Sequence, residues 1–245
     1  QYALPSLEAE NGLPGEGKLR RYNGYVATWQ RLRSQWATQV KNEQQAVVFL
    51  GDSITQGWTS SFRGHFEGMK LANRGIGGDT TRGMLIRLEE DVLALNPSAV
   101  VILMGTNDIE VQIPPAMIAR NFEKIITALK NHNEQMPIVL CRIFPSSATK
   151  KRPTETIQQV NQLFENIVRN DPQITVVDTF KLFDDGKGDA MAEFFPDLLH
   201  LNGDGYAKWA SALQPIFATL GFTETGADTF ELEPGYTSLF NGKDL

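Results

Sequence analysis

Hydrophobic positions along the chain alternate between short continuous runs and longer periodic segments. The short runs predict strands, at 46–50, 70–73, 99–104, 138–143 and 174–177. The periodic segments predict helices, at 80–95, 115–131, 154–170 and 204–220. Continuous apolar strands that alternate with amphipathic helices are typical of a parallel sheet covered on both faces. The pattern therefore predicts an α/β fold: a three-layer αβα sandwich around a flavodoxin-like, five-stranded parallel sheet.

The segments on either side of this region differ from it. Residues 1–17 predict an irregular lead-in, and residues 18–40 predict an amphipathic helix. The helix carries recurring large side chains, at Tyr22, Tyr25, Trp29, Leu32 and Trp36. Their spacing favours packing against the sheet, with sugar stacking as the alternative. We therefore expect a lead-in and helix at 1–44 that pack on an α/β domain at 45–220, followed at 221–245 by a linker in which a further domain can begin.

Polar clusters follow the predicted strands or lie in a late loop. Open α/β sheets bind ligands at the carboxyl ends of their strands, so these clusters form the candidate site. The clusters are Gly51-Asp52-Ser53, Asn73 to Thr80, Gly105 to Asp108, and Asp197 to Asn202.

Ser53 is the candidate nucleophile, because a serine hydroxyl can attack once a base removes its proton. The α/β-hydrolase elbow needs a glycine two residues after the serine, and Thr55 stands there, which disfavours that fold. The alternative is that Ser53 only caps a helix. We expect Asp52 to form local hydrogen bonds that shape the turn.

The next two clusters offer hydrogen-bond donors. Three glycines among residues 75–78 allow backbone N–H groups to bind an oxyanion, and the Asn107 amide can also donate to one. Neither the dinucleotide fingerprint nor the phosphate-binding loop is present. The alternatives are a tight turn capped by Asp79, and a turn or helix cap at Asn107.

His200 is the histidine with a carboxylate three residues before it, at Asp197. That spacing lets the carboxylate hold one ring nitrogen while the other serves as a base. An ordinary surface or core histidine is the alternative. His65 has no carboxylate three residues before it, and we expect His132 to be solvated. Zinc-site motifs are absent, so we expect no metal and no organic cofactor.

Composition narrows the classes of function. Lys and Arg total 23 and Asp and Glu total 29, which gives a net charge of −6 and disfavours nucleic-acid binding. No stretch approaches the ~20 apolar residues of a membrane span. The single cysteine, Cys141, excludes an internal disulfide, and we expect it to be a small buried hydrophobic side chain.

Taken in order, these clusters resemble the block pattern of the SGNH (GDSL) hydrolase family over residues 45–220. The resemblance implies a nucleophile at Ser53, and triad partners at Asp197 and His200. It implies oxyanion donors at the Ser53 N–H, the Gly78 N–H and the Asn107 amide. The run from Asn73 to Thr81 is similar to the platelet-activating-factor acetylhydrolase branch, whose members cleave short acyl esters.

We therefore expect a serine esterase that removes short acyl groups, most simply acetyl, from a carbohydrate. The sugar follows from Trp58, which is close to Ser53, and from residues 235–245, which resemble the opening of the 3-keto-disaccharide hydrolase domain. The alternatives are a lysophospholipase or thioesterase of the same fold, and a non-catalytic carbohydrate-binding domain. We expect a small-molecule or glycan ester as partner, and a secreted or periplasmic location. The sequence does not indicate the oligomeric state.

Overall fold

The computed structural model describes residues 2–59 and 61–223. Its sheet has five parallel strands in the order β2-β1-β3-β4-β5. The strands are β1 (Val47–Gly51), β2 (Leu71–Gly75), β3 (Ala99–Ile102), β4 (Ile138–Cys141) and β5 (Ile174–Val177). This order, with helices on both faces, confirms the predicted α/β sandwich. Residues 235–245, which carry the resemblance to a further domain, lie outside the described residues. Of the predicted segment 221–245, the structure describes residues 221–223.

Helices connect the strands and cover the sheet. The helices of the described residues are α1 (Asn23–Ala37), α2 (Ser53–Gly57), α3 (Thr81–Ile86), α4 (Leu88–Asp91), α5 (Thr106–Glu110), α6 (Pro115–His132), α7 (Thr154–Ile167), α8 (Thr179–Phe183) and α9 (Gly203–Thr219). In the part of the chain that the structure describes, no helix is long and apolar enough to cross a membrane.

Two helix predictions have the wrong limits. The first helix begins at Asn23 rather than at residue 18, because Tyr22 is extended and the preceding Arg21 is bonded to Glu10 and to the Pro5 carbonyl. The predicted helix at 80–95 is broken at Arg87. The Arg87 guanidinium is buried and donates to backbone carbonyls of two strands, so tertiary contacts outweigh the helical pattern there.

Each face of the sheet has its own hydrophobic core. Side chains of β1 alternate between the cores: Val48 and Leu50 pack with α3, α6 and α7, whereas Val47 and Phe49 pack with α9. Cys141 lies in the second core, and burial raises the pKa of its thiol to about 12. The prediction of a small buried hydrophobic side chain is confirmed.

Candidate active site

Ser53 lies at the carboxyl edge of the sheet, where β1 gives way to α2. Asp52 caps this helix, and its Oδ1 accepts a hydrogen bond from the Ile54 N–H at 2.9 Å. A side chain at Gly51 would collide with Thr55, so the tight turn requires glycine there. The expectation that Asp52 bonds locally is confirmed. Burial raises the pKa of this carboxyl group to about 6.

Three side chains form a continuous hydrogen-bonded chain that begins at Ser53. The Ser53 Oγ lies 2.9 Å from the Nε2 of His200. The Nδ1 of His200 lies 2.8 Å from the Oδ2 of Asp197. The structure therefore brings together the serine, the histidine and the carboxylate that the sequence singled out, although 147 residues separate the first two.

A tight turn fixes the geometry of Asp197 and His200. The Asp197 Oδ1 accepts the backbone N–H groups of Leu199 and His200 at 3.0 and 2.7 Å. Partial burial works to raise the pKa of Asp197, but these bonds and the His200 ring outweigh it and lower the pKa to about 2. The carboxylate is therefore ionised at every pH at which an imidazole can act as a base.

The glycine-rich segment places a backbone N–H beside Ser53. Gly78 has a φ of +84°, which glycine adopts without strain, and it lines the same cleft as Ser53. Among the described residues no acceptor bonds its N–H, whereas the Gly77 N–H donates to Gln56. The Gly78 N–H is thus available to a ligand.

The Asn107 amide is held at both ends. Its Nδ2 donates to the Asp79 carbonyl at 3.0 Å, and its Oδ1 accepts from the Arg152 Nη2 at 3.1 Å. The amide nitrogen has two hydrogens, so one remains for the cleft, which Asn107 lines. Because Arg152 can only donate, it fixes which end of the amide is nitrogen.

Arg152 is a site residue that sequence reasoning missed. It is 4 % exposed, and its Nε also donates to the Thr106 carbonyl and hydroxyl oxygens. Its guanidinium thus holds the loop that carries Asn107. Arg152 lies after β4, 45 residues beyond Asn107 in the sequence. No motif spacing connects the two residues.

Asp79 has a different role from the predicted helix cap. Thr80 caps α3, and Asp79 is fully buried in an ion pair with Arg87 at 2.7 Å. The Tyr25 hydroxyl donates to its other oxygen at 2.8 Å. Burial raises the pKa of Asp79, while Arg87 acts against that rise. The pair anchors the Gly78 loop to the strand ends that Arg87 contacts.

The site opens into a cleft of about 790 Å³. Most of the lining residues have polar side chains, although polar and apolar atoms contribute about equally to the surface of the cleft. The lining residues are Arg20, Tyr22, Gly24, Thr28, Ser53, Gln56, Gly57, Thr59, Gly77, Gly78, Asn107, Glu110, Thr149, Lys150, Lys151, Arg152, Leu199 and His200. Among the described residues, no group of three or more His, Cys, Asp or Glu side chains is arranged to hold a metal ion.

Two aromatic side chains are not where the sequence suggested. Trp58 is 1 % exposed and packs edge-on against Phe49, so its ring lies in the core and does not support a sugar in the cleft. The Tyr22 ring contacts the Tyr25 ring, with 6.0 Å between their centroids, but it is not buried as Tyr25 and Trp29 are. It is 52 % exposed and lines the cleft. The remaining histidines lie elsewhere: His65 accepts a bond from Trp58, and His132 is exposed.

A second buried carboxylate connects the two donor loops. Asp108 accepts the Thr81 N–H at 2.9 Å and the Thr81 hydroxyl at 2.7 Å. Burial raises its pKa to about 7, although the Thr81 bonds oppose the shift. In the unfolded chain this carboxyl group has a pKa of about 3.9.

We expect the free energy of unfolding to depend on pH through the Asp108 carboxyl group. Between about pH 4 and 7 the unfolded chain loses the Asp108 proton first, so the free energy of unfolding falls as pH rises. Asp108→Asn should flatten this slope, as measured by urea denaturation at pH 4.5 to 8. The matched control is the exposed Asp204→Asn. An unchanged slope in Asp108→Asn would contradict the assignment.

Comparison with known proteins shows which family the chain belongs to. The sequence profile of the GDSL-like lipase/acylhydrolase family matches residues 49–208. Platelet-activating factor acetylhydrolase IB subunit alpha2 of Homo sapiens is 28% identical over 195 residues, which is 78% of this chain and 84% of that protein.

Solved structures share the fold. A GDSL-like lipase from Bacteroides thetaiotaomicron superposes with a TM-score of 0.66 at 23% identity, covering 77% of this chain and 98% of the other. An acetyl-xylooligosaccharide esterase from Geobacillus gives 0.60 at 22% identity, covering 74% and 95%. The family match extends over most of the chain and includes all four polar clusters. The chain belongs to the GDSL-like lipase/acylhydrolase family, within the SGNH hydrolases, and is a carboxylic ester hydrolase.

Proposed function

We propose that this protein hydrolyses short acyl esters, acetyl above all, on a carbohydrate, with Ser53, His200 and Asp197 as its catalytic triad. The observation that carries the proposal is the chain of hydrogen bonds from Ser53 through His200 to Asp197, which begins in a polar cleft. This arrangement can activate a hydroxyl without any further group.

The first half of the reaction forms an acyl-enzyme. His200 Nε2 takes the Ser53 proton as the Ser53 Oγ attacks the ester carbonyl. Asp197 holds the ring so that Nε2 faces the serine, and it stabilises the imidazolium that forms. The tetrahedral oxyanion accepts hydrogen bonds from the Ser53 N–H, the Gly78 N–H and the Asn107 amide.

Collapse of this intermediate releases the alcohol, which takes its proton from His200. Water then attacks the acyl carbonyl and gives a proton to His200, and the same donors stabilise the second oxyanion. The second collapse returns the proton to Ser53 and releases the carboxylic acid, which then loses its proton to solvent. Bonds and protons balance over the cycle, and one water is consumed.

The lining of the cleft supports a short acyl group. A long acyl chain needs apolar surface to bury its methylenes, at roughly 0.8 kcal/mol for each. Leu199 is the one purely aliphatic side chain among the lining residues. This disfavours a lysophospholipase or a long-chain thioesterase. The 28% identity to a platelet-activating factor acetylhydrolase subunit agrees with acetyl as the acyl group.

Tyr22 supports a carbohydrate as the alcohol. Aromatic rings with an exposed face bind the apolar face of a sugar while their polar tip stays in water. Tyr22 is 52 % exposed and lines the cleft, with its hydroxyl group beside Gly78. It takes the place that the sequence assigned to Trp58.

A chain-length series tests the proposed substrate. We expect kcat/KM for p-nitrophenyl esters to fall by about tenfold or more from acetate to octanoate, because the cleft loses water without gaining apolar contact. Acetate release from acetylated xylo-, gluco- and manno-oligosaccharides should then identify the sugar. Activity that rises with chain length would support the lysophospholipase alternative instead. Sugar binding without labelling by a fluorophosphonate would support a non-catalytic domain.

A further inference from the structure

One side of the cleft is lined by three consecutive cationic residues. Lys150, Lys151 and Arg152 lie in the loop between β4 and α7, at the carboxyl edge of the sheet. Arg20 lines the cleft from the N-terminal segment. Glu110 is the one carboxylate in the lining, with Asp197 behind His200. The cleft is therefore positively charged in a protein whose net charge is −6.

The two arginines are already paired. Arg20 forms an ion pair with Glu110, and Arg152 lies 3.5 Å from the same carboxylate. Arg152 is further occupied by Thr106 and Asn107. The positive charge of these two residues is thus used within the protein.

The two lysines, by contrast, have no carboxylate partner among the described residues. Across residues 2–59 and 61–223, no ion pair includes Lys150 or Lys151. Lys151 is exposed and Lys150 is half-buried. Their ammonium groups remain available to a ligand in the cleft.

The backbone beneath the lysines is held in place. The N–H groups of Lys150 and Arg152 both donate to the Ser147 carbonyl, at 2.9 and 3.1 Å. Lys151 has a φ of +58°, and its N–H donates to Ala148. A left-handed, non-glycine residue carries a conformational cost, and the hydrogen bonds of this turn hold Lys151 in that conformation.

We propose that Lys150 and Lys151 bind an anionic oxygen group, a carboxylate or a sulfate, on the alcohol part of the ester. This rests on the proposed function and specifies its substrate: an acetylated acidic sugar. The acyl part is excluded, because a short acyl group carries no charge and fits between Ser53 and the donors. Two ammonium groups recognise one small anion, whereas nucleic acid would need a longer basic surface.

Matched substrates test this inference. The probes are acetylated methyl glucoside, the corresponding acetylated methyl glucuronide and the 6-sulfate, each followed by acetate release. We expect the wild-type kcat/KM to be about five- to tenfold higher for an anionic ester than for the neutral one, the gain expected of two partly exposed ion pairs. The carboxylate and sulfate arms show which anion the lysines prefer.

The variant Lys150→Gln/Lys151→Gln should bring the ratio of anionic to neutral kcat/KM close to one. The control Lys41→Gln/Lys70→Gln removes the same charge from exposed lysines next to the amino ends of β1 and β2, at the opposite edge of the sheet. It should keep the wild-type ratio. A second measurement needs no variant: raising salt from about 0.01 to 1 M shortens the screening length from roughly 30 to 3 Å, and should lower the wild-type ratio.

Two results would overturn the inference: a wild-type ratio near one at low salt, or an equal loss in both double variants. Failure of the proposed function looks different. In that case no acetate is released from any of the three glycosides, charged or neutral.

Discussion

Replacing Ser53 with alanine is expected to lower kcat on p-nitrophenyl acetate by about 10⁵- to 10⁶-fold. The alanine variant keeps the oxyanion donors and the cleft but has no atom that can form the acyl-enzyme. His200 then has no hydroxyl to deprotonate at 2.9 Å. Residual activity should come from water attacking an ester held by the donors, and should lack a pre-steady-state burst.

The measurement is stopped-flow release of p-nitrophenol together with labelling by a fluorophosphonate, which reacts with an activated serine. A suitable control is Ser211→Ala, because this serine is exposed on α9 and its hydroxyl donates to the Ala207 carbonyl of the same helix. The control should label and turn over as the wild type does. If Ser53→Ala kept activity within tenfold of wild type, the nucleophile would have to lie elsewhere.

Replacing Asn107 with alanine is expected to lower kcat by about 10²- to 10³-fold, with little change in KM. The lost amide hydrogen bond is made to the oxyanion and only weakly to the ground-state carbonyl. Removal of one such donor costs about 2.7–4 kcal/mol in the barrier. Arg152 and the Asp79 carbonyl already hold both ends of the neutral amide, so the proposed donor needs no reorganisation during the reaction.

Asn107→Ala also breaks the bond to the Asp79 carbonyl, so its unfolding midpoint must be measured beside its kinetics. Asn131→Ala, on an exposed position near the end of α6, is the control for a change of this size. A variant that raised KM and kept kcat would show that Asn107 binds the ground state. That result would contradict its role as an oxyanion donor.

The sequence predicted the sheet and the polar clusters because both depend on local pattern. Apolar runs fixed the five strands to within about two residues, and parallel strands end at one edge, so residues after them meet there. Ser53 and His200 meet for a further reason. The Tyr206 hydroxyl of α9 donates to the Ile54 carbonyl at 2.7 Å and holds the late loop near α2.

Arg152, Tyr22 and the break at Arg87 were not predicted, since each depends on contacts between distant parts of the chain. Helical spacing groups Tyr22 with Tyr25, and their rings do touch, but Tyr22 is extended before α1 and its ring also reaches the cleft. Proximity in sequence placed Trp58 near Ser53, yet its indole turns into the core. Periodicity reports which side chains can share a face and leaves open where an element begins.

One wall of the cleft comes from the N-terminal segment of the chain, through Arg20 and Tyr22. The family match covers 49–208, whereas Arg20 and Tyr22 precede it. Their segment is fastened by its own bonds, from Glu10 to Arg82 and from Asn121 to Glu16. The residues of the proposed triad and this wall of the cleft therefore lie in separate stretches of the sequence. Substitutions before residue 49 can change the wall while Ser53, Asp197 and His200 stay unchanged.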